Sequence, residues 1–159
     1  MPAELAVEAD PEQPVDPNWV QGRFRLWASG TALGDQDDVV ALKAVLGWWR
    51  DIVADEQPRW DQRLNGLPAE SAFDLLHEAA LGNGPWDPAW DALRFSVEQL
   101  GMSAFGAYDI FLVDDPRGEQ RLLWRHRNSP VQEAVFEPRT VQRVGDAFLS
   151  AWAAAGLPL

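Results

Sequence analysis

The sequence predicts an α+β fold in which about three helices pack on a mostly antiparallel sheet. Alternating apolar residues after Trp19 indicate a β-hairpin, and three later segments carry apolar residues at helical spacing. Between residues 93 and 136, four short apolar segments follow one another closely. Such strands pair antiparallel, because parallel strands need connections of a dozen or more residues. At 159 residues, 47% of them hydrophobic, the chain is the size of one ordinary domain.

The N-terminal segment, residues 1–18, differs in composition from the rest of the chain. It is rich in proline and acidic residues and shows no apolar period, so we expect a disordered arm and place the domain at residues 19–159. The predicted hairpin follows in the stretch GRFRLWASGTALGD. Every second residue from Phe24 to Ala28 is apolar there, and Ser29-Gly30 provides the turn.

The first predicted helix follows the acidic stretch GDQDD. Its core-facing stripe comprises Val39, Leu42, Val45, Leu46, Trp49, Ile52 and Val53. Asp35 and Asp37 stand before this stripe, where carboxylates can accept hydrogen bonds from the free N–H groups of a first turn. We therefore expect these acids to cap the helix.

The other predicted elements complete the fold class. A second helix runs from Pro68 to Leu81, with proline in its first turn and Gly82 at its end. The four predicted strands are LRFSVEQL, AYDIFLVDD, QRLLWRHR and VQEAVFE, and the turn DDPRGE joins the middle two. The closing helix presents Val141, Val144, Phe148 and Trp152 on one face.

The net charge of −12 is unevenly distributed along the chain. Residues 35–115 carry sixteen acids against five bases, whereas residues 117–143 carry six arginines against three acids. An acidic surface opposes the phosphate neutralisation that nucleic-acid binding needs, so we expect no nucleic-acid partner. A basic protein partner is favoured, although solubility alone also accounts for acidity of this size.

The chain has no cysteine, which excludes disulfides and thiolate metal sites and suits a reducing cytoplasm. No apolar run approaches the roughly 20 residues of a membrane span. The acidic start lacks the basic end and the apolar block of a signal peptide. We therefore expect a cytoplasmic protein without a membrane partner.

Candidate catalytic residues are few. The segment HEAAL, which begins at His77, lacks the second histidine that a zinc pair needs, and Ser71, Asp74 and His77 share one helix face rather than converging as a triad. In the segment WRHRN, His126 is expected beside a solvated arginine face on an edge strand. Phosphate loops, nucleotide fingerprints and nucleophile elbows are missing from the sequence. The sequence thus predicts no catalytic residue, no metal site and no cofactor.

The nine tryptophans suggest where a partner binds. Most must lie in the core, but Trp48 points about 110° away from the core stripe of the first helix, on an outer face that also carries acids. An exposed aromatic among acids fits a docking surface for a basic partner; the alternative is that the loop GNGPWDPAWD covers Trp48. The candidate partner-binding residues are Asp37, Trp48, Asp51, Asp55, Trp86 and Trp90.

Three stretches resemble bacterial immunity proteins of polymorphic toxin systems, closest to the family called immunity protein 42. They are GRFRLWASGTALGDQDD, AYDIFLVDDPRGEQRLLWR and VQEAVFEPRTVQRVGDAFLSAW, and the resemblance covers roughly residues 20–153. It implies a small cytosolic protein that binds and neutralises a cognate toxin domain. The proline-rich acidic arm and the long tryptophan loop depart from the family's pattern and point to a different partner.

Two other function classes stay open at this point. One is a non-inhibitory interaction or scaffold module of a secretion-related operon, with a homodimer as an open alternative. The other is a small-ligand-binding domain or enzyme built around His126, Tyr108 and Asp109. A toxin gene beside this one would favour the immunity function over the scaffold, whereas ligand-dependent melting without a partner would favour the small-ligand domain.

Overall fold

A computed structural model of the chain describes residues 4–13, 15–87 and 89–158, and of residues 89 and 90 it describes the backbone alone. The α+β class is confirmed. Within the described part of the chain, antiparallel sheets of four and three strands pack with three α-helices and several short 3-10 segments.

The first sheet contains the predicted hairpin. Its strands are β1 (Leu5–Pro11), β2 (Gln21–Ala28), β3 (Thr31–Leu33) and the two-residue β4 (Val40–Ala41). The order is β1-β2-β3, and β4 pairs with the start of β2. Ser29 and Gly30 between β2 and β3 both have positive φ, as tight two-residue hairpin turns require.

Strand β1 lies where the sequence predicted a disordered arm over residues 1–18. It pairs with β2 along its whole length, from Leu5 opposite Ala28 to Pro11 opposite Gly22. Its burial alternates, with Leu5, Val7 and Ala9 packed against the core and the residues between them exposed. The acidic outer face and the prolines dominated the composition and hid the two-residue period of a half-buried edge strand.

Helix α1 (Leu42–Ala54) buries most of the predicted stripe, including Leu42 and Trp49. It begins later than expected, because the chain stays extended through Val40 and Ala41 while they pair with β2. The capping prediction for Asp35 and Asp37 is therefore wrong: the first turn carries no acid, and no side chain caps it. Asp35 instead accepts a hydrogen bond from the Asp37 backbone N–H at 3.0 Å, which closes a local turn.

The other two helices lie where the sequence placed them. They are α2 (Ala69–Ala80), preceded by Pro68, and α3 (Thr140–Ala154). Phe73 and Leu76 of α2 are buried as expected, as are Val141 and Trp152 of α3.

The second sheet contains β5 (Tyr108–Asp114), β6 (Gln120–His126) and β7 (Gln132–Phe136) in that order. The first of the four predicted strands, LRFSVEQL, is wrong. Its residues form two 3-10 segments, Ala89–Phe95 and Glu98–Phe105, joined to β5 by one isolated bridge. Phe95 and Val97, two residues apart, lie in different hydrophobic clusters, whereas a strand would direct both to one side.

The second sheet has a hydrophobic cluster on each face. Ile110, Leu112 and Trp124 pack in one cluster with α1, α3 and the first sheet. Phe111 and Leu123 pack in the other, with α2. Burial on both faces explains the continuous apolar run IFLV in β5. Strand β6 is central rather than an edge strand, and its Arg125 lies over the Phe73 ring at 4.5 Å.

Candidate functional site

The outer face of α1 carries some of the predicted partner-binding residues. Trp48 is 42% exposed and Asp51 is exposed, three residues apart on one side of the helix. Asp55 follows on the same side, directly after the last turn, and its carboxylate binds the Arg59 guanidinium at 2.7 Å. Asp37 lies in the loop before α1 and does not share this helix face. We call Trp48 and Asp51 the helix face.

Trp86, one of the two loop tryptophans predicted to bind the partner, is buried rather than exposed. Trp86 is only 5% exposed, and its indole N–H donates to Asp61 at 3.0 Å. It therefore belongs to the core beneath α2 and does not cover Trp48. The Trp90 side chain lies outside the described part of the chain.

Asp61 anchors the segment that follows α1. Its carboxylate accepts hydrogen bonds from the Arg63 backbone and guanidinium as well as from Trp86, and Arg94 lies 3.7 Å away. Burial tends to raise the pKa of Asp61, but the hydrogen bonds from Arg63 and Trp86 outweigh it and hold the pKa below its ordinary value. The ionised form is therefore the one that the fold stabilises.

A second buried polar network joins this segment to the second sheet and α3. Asp114, 9% exposed, accepts from the Arg59 backbone N–H at 2.6 Å and from the Gln120 amide at 3.2 Å. Gln120 in turn accepts from the Val141 backbone N–H at 2.8 Å, in the first turn of α3. Three segments distant in sequence are thus held side by side.

A groove of about 450 Å³ lies where these three segments meet. Its walls are the chain after α1, the β5–β6 turn and the start of α3, and three prolines contribute to its lining. Asp55, Glu56, Asp114 and Asp115 bring four carboxylates, whereas Arg139 is the one base among the described lining residues. Trp60, 41% exposed, also lines it.

Three groove residues, Glu56, Trp60 and Asp115, were not predicted from the sequence. They lie in DEQPRWD and DDPRGE, two short segments that combine acids with proline. This shared composition was the available signal. The two segments face one groove because the hydrogen bond from the Arg59 backbone N–H to Asp114 joins residues 55 positions apart. The sequence pattern does not show this contact.

The residues proposed for a small-ligand site do not converge. The rings of Tyr108 and His126 lie 4.7 Å apart, but Asp109 is 3.5 Å from His77 of α2. Because neighbouring residues of a strand point to opposite faces, Asp109 is separated from Tyr108 by the sheet. Asp74 pairs with Arg125 at 3.5 Å, whereas His77 pairs with Asp109.

A partly buried carboxylate lies close to the His77 and Asp109 pair. Burial raises the pKa of Glu98, and the nearby charge of Asp109 adds to this, against the lowering effects of the Ser96 hydroxyl and of His77. Among the residues that the structure describes, no group of three or more acids and histidines could hold a metal ion. No helix in the same residues is long and apolar enough to span a membrane.

Comparisons with known proteins agree with this architecture. The family model described as immunity protein 42 matches residues 2–151. The crystal structure of CdiI from Burkholderia dolosa is similar in fold, with a TM-score of 0.69 and 18% sequence identity, over 92% of this chain and 94% of that one. No curated protein matches the sequence.

Proposed function

Because the chain belongs to the immunity protein 42 family, we propose that it neutralises its cognate toxin through an acidic surface made of the helix face and the adjoining groove. Immunity proteins of this kind bind and block a toxin domain in a stoichiometric complex. We further propose that the toxin is basic where it docks on this surface and that the two proteins meet in the cytoplasm.

The observation that carries the proposal is the continuity of exposed aromatic and acidic residues at one end of α1. Trp48 and Asp51 lie on the last turns of the helix, and Asp55, one turn further, also lines the groove. Tryptophan is enriched among residues that dominate binding energy, and clustered acids steer a basic partner during diffusional encounter. The surface therefore combines an anchor with a charge pattern.

We propose binding without catalysis. His77 lies beside Asp109 and is stacked on Phe73, while His126 contacts Tyr108 on the other face of the sheet. Neither arrangement supplies a nucleophile with an oriented base. We expect His77→Ala and His126→Ala to protect cells that express the toxin as well as the wild type does. Loss of protection by a folded histidine variant would contradict this part of the proposal.

Rate measurements with the purified cognate toxin test the helix face. We expect Asp51→Lys to slow association and to flatten its dependence on salt, because it removes attraction that salt screens. Trp48→Ala should mainly speed dissociation, by the equivalent of about 2 kcal/mol if the indole is an anchor. Asp55 is left unchanged in this test because it binds Arg59 within the fold.

Two variants are the matched controls. Glu70→Lys makes the same charge change at an exposed residue of α2, and Leu81→Ala removes another exposed apolar side chain. Both should behave like the wild type. If the helix-face variants affected binding no more than the controls do, the binding surface would lie elsewhere on the protein.

A further inference from the structure

Trp60 is an exposed aromatic ring at the wall of an acidic groove. It lines the groove together with Glu56 and Asp115, and it shares a second, smaller cavity with Asp114 and Asp115. Its backbone carbonyl is bound by Arg94, so the chain around the ring is held in place. A tryptophan that is 41% exposed is a ready contact for a partner.

In the part of the chain that the structure describes, no cation forms an ion pair with Asp114 or Asp115, two of the four carboxylates that line the groove. Asp114 is 9% exposed, yet both of its oxygens accept only from neutral donors, the Arg59 backbone N–H and the Gln120 amide. Asp115 uses one oxygen, Oδ1, to accept from the backbone N–H groups of Arg117 and Glu119 in the β5–β6 turn. Among the described residues, neither carboxylate forms a salt bridge. A cation entering the groove would meet a strongly favourable potential.

The fold itself shows how this chain combines arginine, an aromatic ring and a carboxylate. Arg63 lies 4.6 Å over the Trp86 ring while it binds Asp61, and Arg125 lies 4.5 Å over the Phe73 ring while it binds Asp74. Trp60 supplies an aromatic ring to a groove that carboxylates also line. Within the described part of the chain, no arginine lies over its ring.

We propose that the groove receives an arginine side chain of the toxin, stacked on Trp60 and bound by the carboxylates of Glu56 and Asp115. This inference rests on the proposed function and names the group that the toxin presents. A cavity of about 450 Å³ is large enough for such a side chain and its neighbours. Arginine fits better than lysine, because its planar guanidinium can stack on an indole and bind carboxylates through paired N–H groups.

The first experiment measures toxin affinity by calorimetry for the wild type and three variants. Glu56→Gln with Asp115→Asn removes two charges from the groove and leaves at position 115 an amide oxygen that can accept the hydrogen bonds of the turn. Glu70→Gln with Asp146→Asn removes two charges from exposed residues outside the groove lining. We expect the groove variant and Trp60→Ala each to weaken binding about tenfold or more. The control variant should stay close to the wild type.

The second experiment probes the groove without the toxin, using Nα-acetyl-arginine amide and nuclear magnetic resonance. The indole N–H signal of Trp60 is identified by its absence in Trp60→Phe. We expect the arginine probe to shift this signal saturably, at millimolar concentration, and the lysine and citrulline analogues to shift it several-fold less. The shift should disappear in the Glu56→Gln, Asp115→Asn variant.

The outcomes separate the two proposals. Failure of the wild type to bind the toxin would contradict the proposed function itself. Toxin binding that survives both groove changes, or equal shifts from all three probes, would overturn the arginine site alone. Dimerisation of the wild type that the groove variant abolishes would also overturn it, by assigning the groove to a second copy of this chain.

Discussion

Gly145 of α3 is a residue at which one added methyl group should destabilise the fold. A Cβ built at this position would lie 2.7 Å from Cε3 of Trp49 and 2.8 Å from Cγ2 of Val53. The Trp49 ring has little freedom to yield, because it is fully buried, donates its indole N–H to the Leu100 carbonyl at 3.2 Å and packs against Phe24 and Phe148.

The magnitude follows from two opposing effects. Alanine in a helix interior is favoured over glycine by about 1 kcal/mol, whereas overpacking a rigid core costs about 1–3 kcal/mol. We therefore expect Gly145→Ala to lower the free energy of unfolding by about 1 kcal/mol. Gly47→Ala in α1, where nothing lies within 4 Å of the added methyl, should raise it by about 0.5–1 kcal/mol.

Urea unfolding followed by circular dichroism measures both variants on the same scale. The shorter ring of Trp49→Phe should relieve the clash, so the double variant with Gly145→Ala should lose less than the sum of the two single changes. If Gly145→Ala stabilised the protein as much as Gly47→Ala, the close packing of α1 on α3 would be refuted.

Three further predictions concern single side chains. Asp61→Asn should destabilise the protein at pH 7 and much less near pH 3, and unfolding at both pH values checks this. The pKa of the Asp61 carboxyl is lowered from its ordinary value of 3.8, so its ionisation stabilises the fold at pH values above 3.8. That stabilisation is lost as the pH falls through the lowered pKa. Glu98→Gln should raise the unfolding free energy at pH 7, since burial disfavours the ionised form and raises its pKa; an unchanged value would contradict that cause. Arg139→Gly should stabilise by about 0.5–1 kcal/mol in thermal unfolding, because Arg139 has a left-handed φ of 59°, and should speed association with a basic toxin by removing a base from the groove.

The helices could be predicted from sequence because each buries one stripe of residues. The stripe from Leu42 to Ile52 can be identified without knowing which residues pack against it, since its helical period alone indicates the buried face. The start of α1 could not be predicted in this way. Where it begins is decided by the pairing of Val40 and Ala41 with β2, about 20 residues earlier in the chain.

The candidate site was predictable only where it lies on one helix. Trp48 and Asp51 follow from helical geometry, and the structure leaves both exposed. Trp86 was misjudged because its hydrogen-bond partner, Asp61, comes 25 residues earlier and draws the indole into the core. The groove around Trp60 combines segments joined by the buried contacts of Asp114, and no local pattern records such contacts.

Titration of the cognate toxin's activity with this protein tests the central claim most directly. A stoichiometric inhibitor should lower the activity linearly until it vanishes at one equivalent, and the complex should weaken as salt rises. Complete loss of activity far below one equivalent would show catalytic inactivation, and full activity at an excess of the protein would show that it does not neutralise this toxin. Either result would contradict neutralisation by stoichiometric binding.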